Sequence, residues 1–167
     1  GQVVTVRVGS NTYTATVACN AYSLAIPASD LQALADGTVN IAVNVADAAG
    51  NAAVESIQSF IKDSVLPVTA SPQGDAAKTI AEATSTAGVV TVNGEAGSTS
   101  TVTLTGPNGT VTKTLTNDGS AKPVTLSAAD LAVLGEGAIE VSIQTTDTAG
   151  NVVNTPEGND GDFTLDT

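Results

Sequence analysis

One pattern occurs twice, 100 residues apart, and it limits what this chain can fold into. Val39, Ile41, Val43 and Val45 alternate with small or polar residues and run into Asp47-Ala48-Ala49-Gly50-Asn51. Ile139, Val141 and Ile143 do the same before Asp147-Thr148-Ala149-Gly150-Asn151. The segments 28–51 and 128–151 align without a gap and share nine identities: Ala28, Asp30, Leu31, Leu34, Gly37, Asp47, Ala49, Gly50 and Asn51. A period of this size is a whole domain rather than a turn of a solenoid. The 167 residues therefore divide into two tandem units, 1–64 and 65–167.

The strands carry that alternation throughout. Val4, Val6 and Val8, then Tyr13, Ala15 and Val17, predict a hairpin turning at Gly9-Ser10-Asn11. Tyr22–Ile26 is expected as a short strand closed by Pro27. Ser29 or Asp30 is expected to cap one helical turn carrying Leu31 and Leu34. The stretch 54–61, with Phe60 as its anchor, is expected as the unit's last strand. The second unit reads as an extended edge segment between Pro67 and Pro72, then a polar loop from Gly74 to Gly88 with room for a helical turn. Strands at 89–92, around Val102 and Leu104, and at 111–115 follow, and Ser127–Leu131 copies the first unit's helical turn. About seven short strands per hundred residues with regular turns predicts an all-β fold, tandem immunoglobulin-like antiparallel sandwiches. Matching Gly1 to Gly97 gives the first unit only the last five strands of that plan.

Composition excludes several functions. Seventeen acidic residues against five basic ones give a formal charge of −12, so a basic groove for nucleic acid is absent and anionic lipid is a poor partner. Histidine is absent, which removes Ser-His-Asp and Cys-His catalysis and the usual imidazole ligands of zinc. Cys19 is the single cysteine and reads as a small hydrophobe near a strand end. No apolar run is long enough to span a membrane. Carboxylate pairs such as Asp160 and Asp162 could serve acid–base chemistry, yet nothing positions a substrate, and no enzyme is expected.

The series Tyr22-Ser23-Leu24-Ala25-Ile26-Pro27-Ala28-Ser29-Asp30-Leu31, Leu34-Ala35-Asp36-Gly37 and Asp47-Ala48-Ala49-Gly50-Asn51 resembles the bacterial immunoglobulin-like extender repeats of giant RTX and biofilm-associated surface adhesins. The onset at Pro67 and the ending Phe163-Thr164-Leu165-Asp166-Thr167 resemble that family's domain junctions. The resemblance implies a secreted, cell-surface protein whose repeats perform no chemistry. Their partners are neighbouring repeats of the same chain, and calcium at the junctions stiffens the array that projects an adhesive region.

Calcium takes six to eight oxygen ligands, and an acidic, histidine-free chain is compatible with that demand. With an immunoglobulin-like strand order, one junction would gather Asp30 and Asp63 of the first unit with Glu95, Asp147 and Asn151 of the second. Four carboxylates there would repel one another without a cation. Asp75, Glu82, Asp130 and Asp166 would gather likewise at the far end. Each residue also has a purely structural reading: Asp47 and Asp147 as Asx turns, Asp30 and Asp130 as helix caps. Asn159-Asp160-Gly161-Asp162 resembles a fragment of a calcium loop but reads better as a solvated loop. The alternative function is an immunoglobulin-like module that itself binds a sugar, ice or a receptor. Such a module needs exposed aromatics, for which only Tyr13 and Tyr22 are candidates, both expected to be partly buried.

Overall fold

The computed structural model describes residues 2–47, 49–74, 76–155 and 161–166. The chain separates into two compact units, Gly1–Ser64 and Val65–Thr167.

The first unit contains β1 (Val3–Val8), β2 (Asn11–Thr16), α1 (Ala28–Gln32), β3 (Gly37–Ala46) and β4 (Ser56–Lys62). Its strands form one antiparallel sheet in the order β2-β1-β3-β4. Alternation sets the inward face: Val4, Val6, Val8 and Val39 are buried, with Tyr13, Leu34, Ile41, Val43 and Phe60 packed around them. Two sequence expectations change here. Tyr22–Ile26 forms no strand, and Leu24 and Ile26 simply lie against this face. Cys19 is exposed rather than packed. Cys19 and Asn20 hold φ of 53° and 62°, and Ala18 and Ala21 exchange hydrogen bonds across them, so the pair forms a tight reverse turn.

The second unit contains β5 (Val68–Pro72), β6 (Ala77–Thr79), α2 (Ile80–Ala83), β7 (Val90–Gly94), β8 (Thr99–Thr105), β9 (Thr110–Thr116), β10 (Lys122–Val124), α3 (Ala128–Leu134), β11 (Gly137–Thr146), β12 (Val152–Asn154) and β13 (Phe163–Asp166). One sheet has the order β10-β7-β5 and the other β6-β13-β11-β8-β9, with β12 also on β11. The first segment of the unit thus contributes to both sheets: β5 pairs antiparallel with β7, and β6 pairs parallel with β13. The two inward faces close over Val90, Val92, Val102, Leu104, Ile139, Val141, Ile143 and Leu165, all nearly inaccessible. This is an immunoglobulin-like antiparallel sandwich whose core is aliphatic apart from Phe163.

The two units differ along one edge of β3 and its equivalent β11. Val6 pairs with Val43 as Val102 pairs with Ile143, so the sheets share one register. In the first unit β4 runs unbroken beside β3, whereas in the second β12 and β13 share that edge of β11 with a gap between them. Asp162 fills part of the gap by accepting the Val141 N–H at 2.8 Å, and Thr155 bonds the Ile143 carbonyl from both its N–H and its hydroxyl. A carboxylate and a threonine thus meet the backbone groups that an uninterrupted strand would have paired.

Candidate metal centre

The repeated Asp-x-Ala-Gly-Asn loop has one geometry in both units. Asp47 Oδ1 accepts the N–H groups of Ala49 and Asn51, and Oδ2 accepts Asn51 Nδ2 at 2.9 Å. Asp147 repeats this, with Oδ1 on the Asn151 N–H at 2.8 Å and Oδ2 on Asn151 Nδ2 at 2.7 Å. Gly50 and Gly150, at φ of 88° and 94°, supply the left-handed residue that lets each loop close on its aspartate. The Asx-turn reading therefore holds in both copies. The carboxyl of Asp47 lies below the usual range, chiefly because Asn51 donates to it from side chain and backbone. Burial, the largest single effect, opposes ionisation of Asp147, but donors from Asn151 together with the Gly150 and Ala149 N–H groups outweigh it and its carboxyl is also lowered.

Asp147 is buried and Glu95 half-buried, and their carboxylate oxygens lie within 4.8 Å of one another. Two negative groups this close in a partly dry site favour a cation, and the donors are all oxygen, as calcium prefers. Asp147 already receives hydrogen bonds, but each carboxylate oxygen retains lone pairs directed elsewhere.

A polar network lies in the same end of the sandwich. Ser98 Oγ donates to the Glu95 carbonyl at 2.6 Å, Asn117 Nδ2 donates to Ser98 and Ser100, and Ser100 shares a 2.7 Å bond with Thr145. All four side chains are buried, and among the described residues Asn117 Oδ1 has no hydrogen-bond partner. The network ties the turn that carries Glu95 to β11, the strand that leads into Asp147. It escaped sequence reading because serine and threonine on alternating strands look like ordinary wet-face residues. Asn117, after a run of alternating threonines in β9, was the one signal present.

Several of the other candidates make structural contacts of their own. Asp130 Oδ2 accepts the Ser127 N–H and hydroxyl in a capping box at the start of α3, and also Lys113 Nζ at 2.7 Å. Lys113 beside it holds its carboxyl down to about 2 against the opposing effect of burial, helped by Ser127. Asp30 does not cap α1, whose N-cap is Pro27 without a side-chain bond; its Oδ2 accepts the Tyr13 hydroxyl at 2.7 Å. Tyr13 and Lys113 occupy equivalent strand positions, facing Val6 and Val102, so two different donors fasten the same aspartate. Glu82 closes a capping box with Thr79 on α2. Asp166 is exposed on β13, and Asp63 follows β4 at the end of the first unit. Asp75 lies outside the described residues, as do Asn159 and Asp160. Among the described residues, Glu82, Asp130 and Asp166 form no three-carboxylate group. The ten residues of β11 separate the Asp130 end of the unit from the Asp147 end by roughly 30 Å. Tyr22 is exposed rather than partly buried, while Tyr13 is half-buried. Among the described residues no helix is long and apolar enough to cross a membrane.

No family model and no curated protein matches the chain. Among solved structures it is similar to a tetra-tandem repeat in the extending region of a large adhesion protein, at TM-score 0.48 and 24% identity over 99% of this chain. It is similar to a 1.5-MDa bacterial ice-binding adhesin at TM-score 0.47 and 25% identity, again over 99%. Latent PorU from Porphyromonas gingivalis follows at TM-score 0.35 and 13% identity, covering 99% of this chain and 16% of that one. This chain spans 42% and 53% of the two adhesin chains. Both of those are adhesion proteins.

Proposed function

We propose that the chain is an extender segment of a secreted bacterial surface adhesin, non-enzymatic, in which calcium at a domain junction restrains neighbouring repeats. The observation that carries the metal reading is the approach of Glu95 and Asp147 at one end of the second unit. Asp63, joined to that unit through Ser64 alone, is the ligand proposed from the first unit, and Asp30 and Asn151 are the further oxygen donors proposed for the same junction. Asp75, Glu82, Asp130 and Asp166 are proposed for the opposite junction, where Asp130 must leave or share Lys113 to take part. The protein's own contribution is to fix Asp147 through Asn151 and to hold the Glu95 turn through Ser98, so that the oxygens are placed before an ion arrives. Bound calcium would supply the positive charge that lets the two carboxylates stay together.

Thermal melts in calcium and in chelator test the reading. Extracellular calcium modules bind at about 10⁻⁴–10⁻³ M. A tenfold excess of ion over that constant stabilises the folded state by about 1.4 kcal/mol per independent site. The melting temperature should rise by several degrees in millimolar calcium and much less in magnesium. Superimposable melts in calcium and chelator would remove the metal from the proposal.

A further inference from the structure

The buried polar network of the second unit has an apolar counterpart in the first. Ser100 pairs with Thr145 as Val4 pairs with Val45. The Asn117 N–H meets the Ser98 carbonyl as the Val17 N–H meets that of Gln2, both at 2.9 Å. Ser100, Asn117 and Thr145 therefore stand where the first unit has Val4, Val17 and Val45, and those valines belong to its core or pack against it. The shared backbone does not require polar side chains at these positions. Burying them takes two hydroxyls and an amide out of water, and Asn117 Oδ1 finds no partner among the described residues. Replacing a buried polar set by apolar groups of similar shape is commonly neutral or stabilising. The network owes its place to something other than stability.

What it grips is the turn that carries Glu95. The Asn117 carbonyl accepts the Gly97 N–H at 2.9 Å, and its Nδ2 donates to Ser98 Oγ, which donates to the Glu95 carbonyl at 2.6 Å. Gly94 lies flat on the same amide: a Cβ there would stand 2.5 Å from Asn117 Nδ2 and 3.1 Å from Ser98 Oγ. Residues on both sides of Glu95 thus rest on one buried side chain. Ser100 accepts from that side chain at 2.8 Å and bonds Thr145, which precedes Asp147 by two residues. We propose that Asn117 is a positioning residue for the Glu95–Asp147 site, presetting the Glu95 turn against β11 before an ion binds. The inference rests on the calcium reading above. Side chains that orient metal ligands from behind typically change affinity by about 10–100-fold when they are removed.

A variant carrying Ser100→Ala, Asn117→Val and Thr145→Val tests it, with Thr145→Ser, which keeps the hydroxyl, as the control. Urea unfolding should find the second unit of the triple variant at least as stable as wild type. In chelator, hydrogen exchange at the Gly97 and Ser98 amides should quicken by about tenfold or more while the amides in the middle of β11 stay protected. Calcium titration should show affinity weakened by about tenfold or more in the triple variant and close to wild type in Thr145→Ser. A triple variant that loses its folded second unit assigns the network to the fold and overturns the proposal. Unchanged exchange at Gly97 and Ser98 overturns it too, as does a triple variant that keeps the wild-type affinity. A wild type that takes up no calcium refutes the metal reading together with this inference, whereas wild-type uptake with an unresponsive variant refutes the inference alone.

Discussion

Replacing Asp130 with Asn isolates the ionic part of the bond that fastens α3 to β9. The carboxyl sits at about 2 instead of 3.8, and a full conversion of that shift corresponds to about 2.4 kcal/mol. The Asp130 and Lys113 side chains retain 18% and 31% of their exposure, so solvent screening reduces the expected loss to about 1–2 kcal/mol. For a unit of this size that is a fall of roughly 4–15 °C in melting temperature. The pH dependence carries a definite sign. A carboxyl lowered in the folded state contributes fully above its unfolded value near 4, and the contribution is lost as pH falls through about 2. Urea unfolding of wild type and Asp130→Asn should therefore differ by about 1–2 kcal/mol at pH 7 and pH 5, and converge between pH 4 and pH 2. Both tyrosines lie in the first unit, so tyrosine fluorescence should follow one transition unchanged while far-ultraviolet circular dichroism follows the other. A gap equally large below pH 2, or no gap at pH 7, would refute the ionic account.

Further outcomes follow from individual contacts. Asp147→Asn should weaken calcium binding in a titration while the protein stays folded, because Asn keeps an oxygen for the Asn151 N–H; Asp118→Asn, in an exposed turn beside Lys122, should titrate like wild type. Asp162→Ala should leave the Val141 N–H without its acceptor, cost about 1–3 kcal/mol, and speed hydrogen exchange at that amide. Gly88→Ala should destabilise the second unit by more than about 1 kcal/mol in chemical denaturation, because Gly88 has φ of 76° and a Cβ there would stand 2.6 Å from the Val124 carbonyl oxygen.

The long strands were legible because alternation over ten residues admits a single register, as 39–45 and 139–143 show in β3 and β11. Tyr22–Ile26 shows where local pattern stops being sufficient. Its equivalent in the second unit becomes a strand only because β7 lies beside it, and pairing depends on a neighbour rather than on the segment itself. The β6 segment was missed for a related reason: three residues, Ala-Lys-Thr, carry no periodicity, and their partner β13 is over eighty positions away. At the candidate site the Asp-x-Ala-Gly-Asn loops were visible from their repetition alone. The fastening of Asp30 and Asp130 was not, since Tyr13 and Lys113 lie seventeen residues upstream of them and differ in chemistry.

The parallel pairing of β6 with β13 has a mechanical consequence. β6 lies near the start of the second unit and β13 at its end, and Thr164, Leu165 and Asp166 stand beside Ala77, Lys78 and Thr79. Tension entering through Val65 and leaving through Asp166 would pull these two neighbours in opposite directions along their common axis. Their hydrogen bonds, which lie across that axis, would then be loaded in shear and share the force, instead of opening one after another as in a hairpin peeled from its tip. The Phe163 and Leu165 side chains, both buried, would have to slide through the core at the same moment. A unit so arranged yields late and abruptly under load, a property set by the direction of one short strand rather than by the unit's equilibrium stability.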